Sequence, residues 1–321
     1  MTRVLVTGAT GFIGTVLCES LAGAGYVVRA ALRTDSLVPS AIAEKVIVGA
    51  IGSTNDWTGA LEGVDAIVHT AARAHVLRDN PTLTNLYTET NVHGTQCLAH
   101  AAARAQIRRF VYLSSVKVNG EATSGRAYTA LDEPRPRDAY GISKWHAEQQ
   151  VMRSAAGSPM EAVIVRSPLV YGPGVRANFL RLMRWVERGW PLPFGGVRNK
   201  RSLVNIWNLC DLLLLTLRHQ SAPGRTWMAS DGDDLSTPEL LCRVGRAMGR
   251  RTRLFSVPDS ALRLCAALVG RRAEIARLSD SLVIDIAQTR ADLGWSPPVT
   301  VDEALLRTVA WYLGEGRRRA A

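Results

Sequence analysis

The stretch from Val4 to Gly14 constrains the fold most strongly. It reads Val-Leu-Val-Thr-Gly-Ala-Thr-Gly-Phe-Ile-Gly, in which four apolar or β-branched residues precede three glycines at a spacing of three. Apolar residues then recur at helical intervals from Phe12 to Leu21. The pattern predicts a buried strand, a tight turn and a helix N-terminus, whose backbone N–H groups and dipole attract phosphate. We therefore predict a dinucleotide-binding site here, with a purely structural turn as the alternative.

Further apolar segments alternate with helical patterns over the first half of the chain. This alternation predicts an α/β fold of the Rossmann type, a doubly wound parallel sheet. The character changes after Gly174, which predicts a smaller, mixed α/β C-terminal substrate lobe. We expect an NAD(P)-binding domain at residues 1–171 plus about 202–227, with a strand near 202–206 that returns to it. The substrate lobe then takes about 172–201 and 228–314, and residues 315–321 form a basic tail.

Composition narrows the classes of function. Hydrophobic residues make up 47% of the 321 residues, which excludes a disordered chain. The net charge is +11, but the basic residues are scattered and no nucleic-acid motif accompanies them, so we predict a solvated basic surface and no nucleic-acid partner. Weak attraction to an anionic membrane surface, or to a nucleotide diphosphate, is the alternative explanation of the charge.

The cysteines, histidines and apolar runs bear on disulfides, metal sites and the cellular compartment. None of the five cysteines forms a Cys-x-x-Cys pair, and the six histidines lack metal-ligand spacing, so we expect reduced thiols and no metal site. The most apolar short run, Leu212 to Leu217, is too short to span a bilayer. We therefore predict a cytoplasmic protein without integral membrane contact.

The end of the second strand bears on the choice of cofactor. A NAD-binding fold usually has an acidic residue there, whereas this chain has Leu32 followed by Arg33. Because an arginine suits the 2′-phosphate of NADP, we predict NADP, with NAD as the alternative because Asp35 lies nearby. Arg29 on the same strand is a second basic residue that could help. The small residues Ala71 and Ala72 end the fourth strand and let a cofactor lie close.

Tyr140 and Lys144 are four residues apart in a predicted helix and so share a face. A free tyrosine ionises near pH ~10, and a nearby ammonium is expected to lower its pKa. A phenol tuned in this way exchanges a proton with an alcohol or a ketone. The fifth strand ends in the paired serines Ser114 and Ser115, and a serine hydroxyl beside the tyrosine oxygen would complete the site.

Together, the segments Thr7–Gly14, Ser114–Gly120, Tyr140–Lys144 and Arg166–Gly174 resemble the extended short-chain dehydrogenase/reductase family, in its NAD-dependent epimerase/dehydratase group. The resemblance covers nearly the whole chain and is nearest to the branch of nucleotide-sugar 4-epimerases and 4-keto reductases. It implies Ser115, Tyr140 and Lys144 as catalytic residues, with Ser114 in reserve. The cofactor-binding residues that it implies are Gly8, Thr10, Gly11, Phe12, Ile13, Gly14, Arg33, Ile51, Ala71, Ala72, Asn91, Tyr140 and Lys144. The chain departs from the family pattern at Ala50, where an aspartate is usual.

The resemblance also implies a substrate and a reaction. The residues expected to contact a UDP-sugar are Lys117, Asn178, Phe179, Phe194 and Arg201. Val116 and Lys117 replace the Asp-Glu pair of the family's dehydratases, which argues against dehydration. We expect hydride transfer at C4 of a UDP-hexose or a UDP-4-keto-6-deoxy-N-acetylhexosamine in surface polysaccharide synthesis, by a homodimer. A 4-keto reductase is slightly preferred, a UDP-hexose 4-epimerase retaining NAD is the alternative, and a non-catalytic NAD(P)-sensing regulator is the remote one.

Overall fold

The computed structural model of the chain describes residues 2–74, 81–268, 270 and 272–316. Its main feature is a seven-stranded sheet in which every neighbouring pair of strands is parallel. Two further short strands pair in parallel in a separate sheet. The strands are β1 (Arg3–Thr7), β2 (Val27–Leu32), β3 (Glu44–Ile47), β4 (Ala66–His69), β5 (Arg109–Ser115), β6 (Glu161–Ser167), β7 (Leu169–Tyr171), β8 (Leu203–Asn205) and β9 (Arg225–Met228).

The order of strands in the main sheet is β3-β2-β1-β4-β5-β6-β9. The order therefore reverses between β1 and β4, whose last residues Thr7 and His69 are register partners. In open α/β sheets, ligands bind in the crevice at the carboxyl ends of the strands beside such a reversal. The predicted doubly wound parallel sheet is confirmed, and the reversal lies at the end of the glycine-rich segment.

Helices cover both faces of the sheet and form much of the second half of the chain. They are α1 (Phe12–Gly23), α2 (Thr58–Leu61), α3 (Pro81–Tyr87), α4 (Gly94–Arg104), α5 (Ala139–Ala155), α6 (Ala177–Arg188), α7 (Ile206–Arg218), α8 (Thr237–Ala247), α9 (Asp259–Leu268), α10 (Arg272–Ser279), α11 (Ala287–Leu293) and α12 (Val301–Trp311). π-Helical turns span Thr88–His93 and Tyr312–Gly316, and a 3₁₀ turn spans Val116–Val118. No helix in the described ranges is long and apolar enough to cross a membrane.

Three groups of buried apolar side chains hold these elements together. One group packs α1 and α7 against one face of the sheet, with Leu17 and Leu209 fully buried. A second group lies on the opposite face beneath α4 and α5, around Leu98. A third joins α6, α8 and α12 and contains Phe179 and Leu305. Both faces of the sheet are therefore covered, as the continuous apolar runs of its strands require.

The return of the chain from the second half to the main sheet differs in detail from the prediction. The strand expected near residues 202–206 is β8, but it pairs with β7 in the two-stranded sheet. The chain re-enters the main sheet only at β9, beside β6. Between them, α7 packs on α1. The domain limits expected from the sequence stay a prediction.

Candidate active site

The glycine segment forms a tight loop between β1 and α1. Gly8 has φ +71°, and a Cβ there would lie 2.8 Å from the backbone nitrogen of Ala71. A Cβ on Gly14 would lie 2.0 Å from the carbonyl oxygen of Gly8, so no larger residue fits. The Gly11 N–H donates to that same oxygen at 2.9 Å, and no side chain caps the N-terminus of α1. An uncapped helix start behind an exposed Thr10 and Gly11 fits the pyrophosphate of a dinucleotide.

The end of β2 places Arg33 at the surface directly after the strand, as the sequence predicted. Asp35, the alternative ribose partner, pairs with Lys45 at 2.5 Å. Arg29 does not reach this end of the strand, because its guanidinium donates to Glu44 at 2.6 Å and to the carbonyl of Glu62 at 2.7 Å. These contacts account for Arg29 as a structural residue, and a part for it in cofactor binding stays a prediction.

Asn91 lies in the π-helical turn and fixes the loop that follows β4. Its side-chain oxygen accepts from the Arg73 N–H at 2.8 Å, and its amide donates to the Arg73 carbonyl at 3.1 Å. The amide also donates to the hydroxyl of Ser143 on α5 at 3.0 Å. Asn91 thus ties the loop of Ala71 and Ala72 to the helix that carries Tyr140. Its predicted contribution to cofactor binding would act through this loop.

Ile51 lies farther along the same edge. A Cβ on Gly94, the first residue of α4, would lie 2.5 Å from the Ile51 side chain, so the two elements are in close contact. The sequence Lys-Val-Ile-Val-Gly-Ala-Ile at residues 45–51 predicts a third strand that continues to Ile51, whereas β3 ends four residues earlier, at Ile47. The following loop is held by Asn55, whose amide donates to the carbonyls of Val48 and Ala50.

The structure brings Ser115, Tyr140 and Lys144 together. Ser115 is the last residue of β5, and Tyr140 and Lys144 lie one turn apart at the start of α5. The side chains of Ser115 and Tyr140 are hydrogen-bonded. Ser114, the reserve candidate, points the other way, because its buried hydroxyl donates to Glu148 at 2.5 Å. Of the two serines, the structure therefore places Ser115 at the site.

The charges around Tyr140 differ from the expectation. Burial, Asp138 and Tyr87 all raise the pKa of Tyr140, and only the hydrogen bond from Ser115 opposes them. The Lys144 ammonium does not point to the phenol: it donates to the Leu113 carbonyl at 2.6 Å and lies 4.1 Å from the ring centroid of Tyr112. The prediction that Lys144 lowers the pKa of Tyr140 is wrong for this arrangement.

Lys144 is itself perturbed. Burial lowers its pKa to about 7, while the carboxylate of Glu148 acts to raise it. The side chain is only 2% exposed, so the cost of desolvating the ammonium dominates. Near neutral pH the lysine therefore exists in both protonation states, which suits a residue beside a proton-transfer group.

A buried ionic network lies next to Lys144 on the side away from the surface. None of its members was predicted from the sequence as a functional residue. Glu148 accepts from Arg166 on β6 at 2.9 and 2.6 Å, in addition to the hydroxyl of Ser114. Arg166 also donates to Asn119 at 3.1 Å. Two signals pointed to this network: Glu148 lies one further helical turn after Lys144, and Arg166 interrupts an otherwise apolar strand.

His69 occupies the end of β4 as a structural residue. Its ring is fully buried, 2.6 Å from the Thr7 hydroxyl and 2.9 Å from the Thr95 hydroxyl. Burial and the nearby Lys144 lower its pKa to about 3, so the ring is neutral at neutral pH. His69 is therefore a packed residue at the end of β4. Among the described residues, no group of three or more His, Cys, Asp or Glu side chains could hold a metal ion.

Lys117 lies beside Ser115, but its ammonium is held by carboxylates. It pairs with Asp138 and, at 3.1 Å, with Glu121. Asp138 in turn caps α5, since its carboxylate accepts from the Gly141 N–H at 2.7 Å. Lys117 thus links the end of β5 to the start of the helix of Tyr140. Its predicted substrate contact stays a prediction.

The remaining predicted substrate residues lie in the second half of the chain. Asn178 is in the first turn of α6, directly after Ala177, whose φ of +53° is strained for a residue with a Cβ. Arg201 is partly buried and donates to the Asp280 carbonyl at 2.8 Å. A Cβ on Gly174 would lie 3.4 Å from the Phe12 ring, so the loop after β7 lies against the glycine loop.

Phe179 and Phe194 are core residues of this half of the chain. Phe179 stacks on Tyr171 with ring centroids 5.1 Å apart, and Phe194 stacks on Trp185 at 6.1 Å. Neither ring is more than 3% exposed. Their role in binding a substrate stays a prediction, and the structure explains both rings by packing.

Comparison with known proteins gives a consistent result. The model of the NAD dependent epimerase/dehydratase family matches residues 4–229. A UDP-glucose 4-epimerase of Vibrio cholerae is 41% identical over 327 residues, covering 98% of this chain and 97% of the relative. A 3 beta-hydroxysteroid dehydrogenase/Delta 5-->4-isomerase of Mycobacterium tuberculosis is 30% identical and covers 97% of this chain and 90% of the relative. The solved structure of MoeE5 with UDP-glucose and NAD superposes with a TM-score of 0.77, at 27% identity, over 99% of this chain and 100% of that one.

Proposed function

The chain belongs to the NAD-dependent epimerase/dehydratase family, and from that premise we propose that it is a UDP-hexose 4-epimerase that keeps NAD bound. The observation that carries the proposal is the similarity to the Vibrio UDP-glucose 4-epimerase across 98% of the chain. It is supported by the likeness to MoeE5, which binds UDP-glucose and NAD.

The 4-keto reductase that the sequence analysis preferred slightly is not confirmed, because these relatives favour the epimerase alternative. The preference for NADP is likewise not confirmed, since the family model is described as NAD-dependent and the solved neighbour holds NAD. Exposed Arg33 fits either cofactor, because a guanidinium at the strand end can also meet ribose oxygens. We propose NAD.

The residues of the site fit hydride transfer better than dehydration. A dehydratase needs a carboxylic acid beside the site serine to protonate a leaving hydroxyl. This chain has Val116 and Lys117 in that position, and the ammonium of Lys117 is paired with Asp138. A sensor without catalysis is also disfavoured, because Tyr140 and Lys144 are both present.

The proposed reaction assigns each residue a task. Bound NAD would accept a hydride from C4 of the sugar and return it to the other face. The oxygen of Tyr140, in its ionised form, would take the proton of the C4 hydroxyl as the 4-keto sugar forms, and the resulting neutral phenol would return that proton when the new alcohol forms. Because burial and Asp138 raise the pKa of this phenol, the positive charge of bound NAD would have to favour the ionised form. Ser115 holds that oxygen, and Lys144 carries a charge that changes near neutral pH. The uncapped start of α1 binds the pyrophosphate of the cofactor.

Incubation of the purified chain with UDP-glucose or UDP-galactose tests the proposal. We expect the two sugars to interconvert without added reductant, and NAD to be released when the protein is denatured. Oxidation of added NADPH that depends on a 4-keto sugar nucleotide would show a reductase instead. Turnover of a 3β-hydroxysteroid with no change in either UDP-sugar would contradict the proposal in favour of the activity named for the mycobacterial relative.

Tyr140→Phe tests the assignment of the proton-transfer group. We expect the rate of interconversion to fall by about 10²–10⁴-fold, the usual contribution of a general acid–base group. Bound NAD should be retained, because the aromatic ring and Lys144 remain. Tyr26→Phe is a matched control, since Tyr26 directly precedes β2 at the amino ends of the parallel strands, whereas Ser115 is the last residue of β5. Near-normal rates in Tyr140→Phe would exclude Tyr140 as the proton carrier.

Three expectations from the sequence extend the proposal beyond the site. We propose a homodimer, a cytoplasmic reaction and a role in building surface polysaccharide. Size-exclusion chromatography with light scattering tests the first, and fractionation of cells tests the second. Loss of a surface polysaccharide on deletion of the gene tests the third.

A further inference from the structure

The outer face of α9 carries apolar side chains toward solvent. Leu264 is 62% exposed and Leu268 is 80% exposed, and the two are one helical turn apart. Ala267 beside them is also exposed, whereas Leu262 on the inner face is buried in the third apolar group. A surface helix normally turns polar residues outward. The inner face of α9 therefore packs on the protein, and its outer face presents two leucines to solvent.

The segment that precedes α9 in the chain also exposes apolar and basic side chains. Residues 253–255 run beside Leu192, whose N–H donates to the Arg253 carbonyl at 2.8 Å and whose carbonyl accepts from the Phe255 N–H at 3.0 Å. Side chains alternate along such an extended segment. Arg251, Arg253 and Phe255 are accordingly exposed, while Leu254 packs inward. Two arginines and a phenylalanine therefore face solvent on one edge.

Trp190 adds a second exposed aromatic ring to this region. It is 50% exposed and lies two residues before Leu192, the residue to which the Phe255 segment is bonded. The guanidinium of Arg188 lies 4.8 Å from its ring centroid. We name the exposed residues Trp190, Arg251, Arg253, Phe255, Leu264 and Leu268 the α9 surface. Helices and loops that lie in a membrane interface typically combine tryptophan, phenylalanine and leucine with arginine, as the α9 surface does.

Charge identifies the kind of surface that would cover these residues. Residues 243–277 contain nine arginines and two acidic residues. Two of these arginines are paired with acidic residues outside the stretch, Arg243 with Asp233 and Asp302 and Arg263 with Asp280, and the exposed Arg251 and Arg253 lie on the α9 surface. Basic residues are scattered over the rest of the chain, but arginines are concentrated in this stretch. A bilayer with anionic headgroups offers both an apolar layer for the leucines and negative charge for the arginines. A second copy of this chain would instead bring the arginines of one α9 surface against those of the other, which is repulsive.

We propose that the α9 surface docks the protein on an anionic lipid bilayer. Leu264, Leu268, Phe255 and Trp190 would enter the boundary between headgroups and acyl chains, and the arginines would meet the headgroups. The contact is peripheral, because the helix has ten residues and lies along the protein. This inference does not depend on the proposed epimerase activity, since it uses none of the residues around Tyr140.

Vesicle flotation with the full chain tests the proposal. We expect binding to vesicles of phosphatidylcholine with about one-third phosphatidylglycerol, little binding to phosphatidylcholine alone, and a loss of binding as salt is raised. Leu264→Gln/Leu268→Gln should weaken binding by on the order of tenfold or more, because two apolar insertions are lost. Arg251→Gln/Arg253→Gln should weaken it by about fivefold for each arginine.

Two control variants match these changes elsewhere on the surface. Leu131→Gln/Leu306→Gln replaces leucines that are 83% and 56% exposed outside the α9 surface. Arg104→Gln/Arg108→Gln removes the same charge from the exposed end of α4 and the residue before β5. Both controls should bind vesicles as the wild type does, and circular dichroism should show every variant folded.

Three results would overturn the proposal. The first is absence of wild-type binding to the anionic vesicles at low salt. The second is equal loss of binding in the control pairs, which would indicate a diffuse charge effect. The third is conversion of a dimer to a monomer by Leu264→Gln/Leu268→Gln without vesicle binding by the wild type, which would make the α9 surface an interface between copies.

Discussion

Replacing Arg166 with methionine is predicted to destabilise the fold strongly. The Arg166 and Glu148 side chains are each 3% exposed and are joined by hydrogen bonds of 2.9 and 2.6 Å. In Arg166→Met the Glu148 carboxylate would stay buried and keep only the Ser114 hydroxyl as a donor at 2.5 Å. A buried charge that loses its partner costs far more than the pair contributes when intact.

The magnitude follows from that orphaned carboxylate. Breaking a buried pair by removing one partner costs about 3–5 kcal/mol. For 321 residues, an unfolding entropy of about 2.1 cal/mol/K per residue gives ~0.7 kcal/mol/K. Arg166→Met should therefore lower the melting temperature by roughly 4–7 °C. Glu148→Leu should cost a similar amount, because it leaves the Arg166 guanidinium buried without its carboxylate.

The double variant distinguishes this explanation from simple loss of packing. Arg166→Met/Glu148→Leu buries no charge, so it should be more stable than either single variant. Calorimetry and urea unfolding monitored by circular dichroism measure all three. Arg225→Met is the control, because its ion pair with Asp292 is 51% and 37% exposed and should contribute at most about 1 kcal/mol. Additive losses in the double variant would refute the reasoning.

Three further predictions concern single positions. The pKa of His69 is about 3 in the folded protein and about 6.5 in the unfolded chain, so the free energy of unfolding falls as the pH drops through this window, by about 3 kcal/mol near pH 4. In His69→Gln, the free energy of unfolding measured with urea should depend less on pH in this range. Gly14→Ala should abolish NAD binding in isothermal titration and reduce stability, because its methyl group would lie 2.0 Å from the Gly8 carbonyl oxygen, and normal binding would contradict the loop geometry. Arg33→Ala should weaken NADP binding more than NAD binding in the same assay, and an equal effect on both would show that Arg33 does not select the cofactor.

The sheet was largely predictable because local sequence determines it. Strands buried on both faces need continuous apolar runs, and several such runs that alternate with helical patterns allow few topologies. β5 spans Arg109–Ser115, as predicted. β3 was predicted too long because Gly49 turns the chain at φ +76° and Asn55 binds the loop carbonyls. Neither the turn at Gly49 nor the hydrogen bonds of Asn55 changes the periodicity of apolar residues, so the sequence does not show where β3 ends.

The site was predictable in its members but not in its electrostatics. A spacing of four residues on a helix is enough to bring Tyr140 and Lys144 to one face, and the end of β5 delivers Ser115 beside them. The direction in which a long lysine points depends on acceptors that arrive from other elements. Here the Lys144 ammonium contacts the Leu113 carbonyl and the Tyr112 ring, both on β5, and therefore does not point to the phenol of Tyr140.

One helix face thus carries three ionisable groups at equal spacing, and burial decides what each does. Tyr140 lies at the start of α5, where Asp138 and desolvation keep the phenol protonated. Lys144, one turn deeper, is balanced near neutrality between desolvation and the carboxylate of Glu148. Glu148, a further turn in, accepts two hydrogen bonds from the guanidinium of Arg166, which is equally buried. Removing the Glu148 charge should therefore lower the pKa of Lys144 further, so the structural pair also sets the charge of the site lysine. Arg166 lies 22 residues after Lys144 and on another strand, which explains why no spacing rule could have connected them.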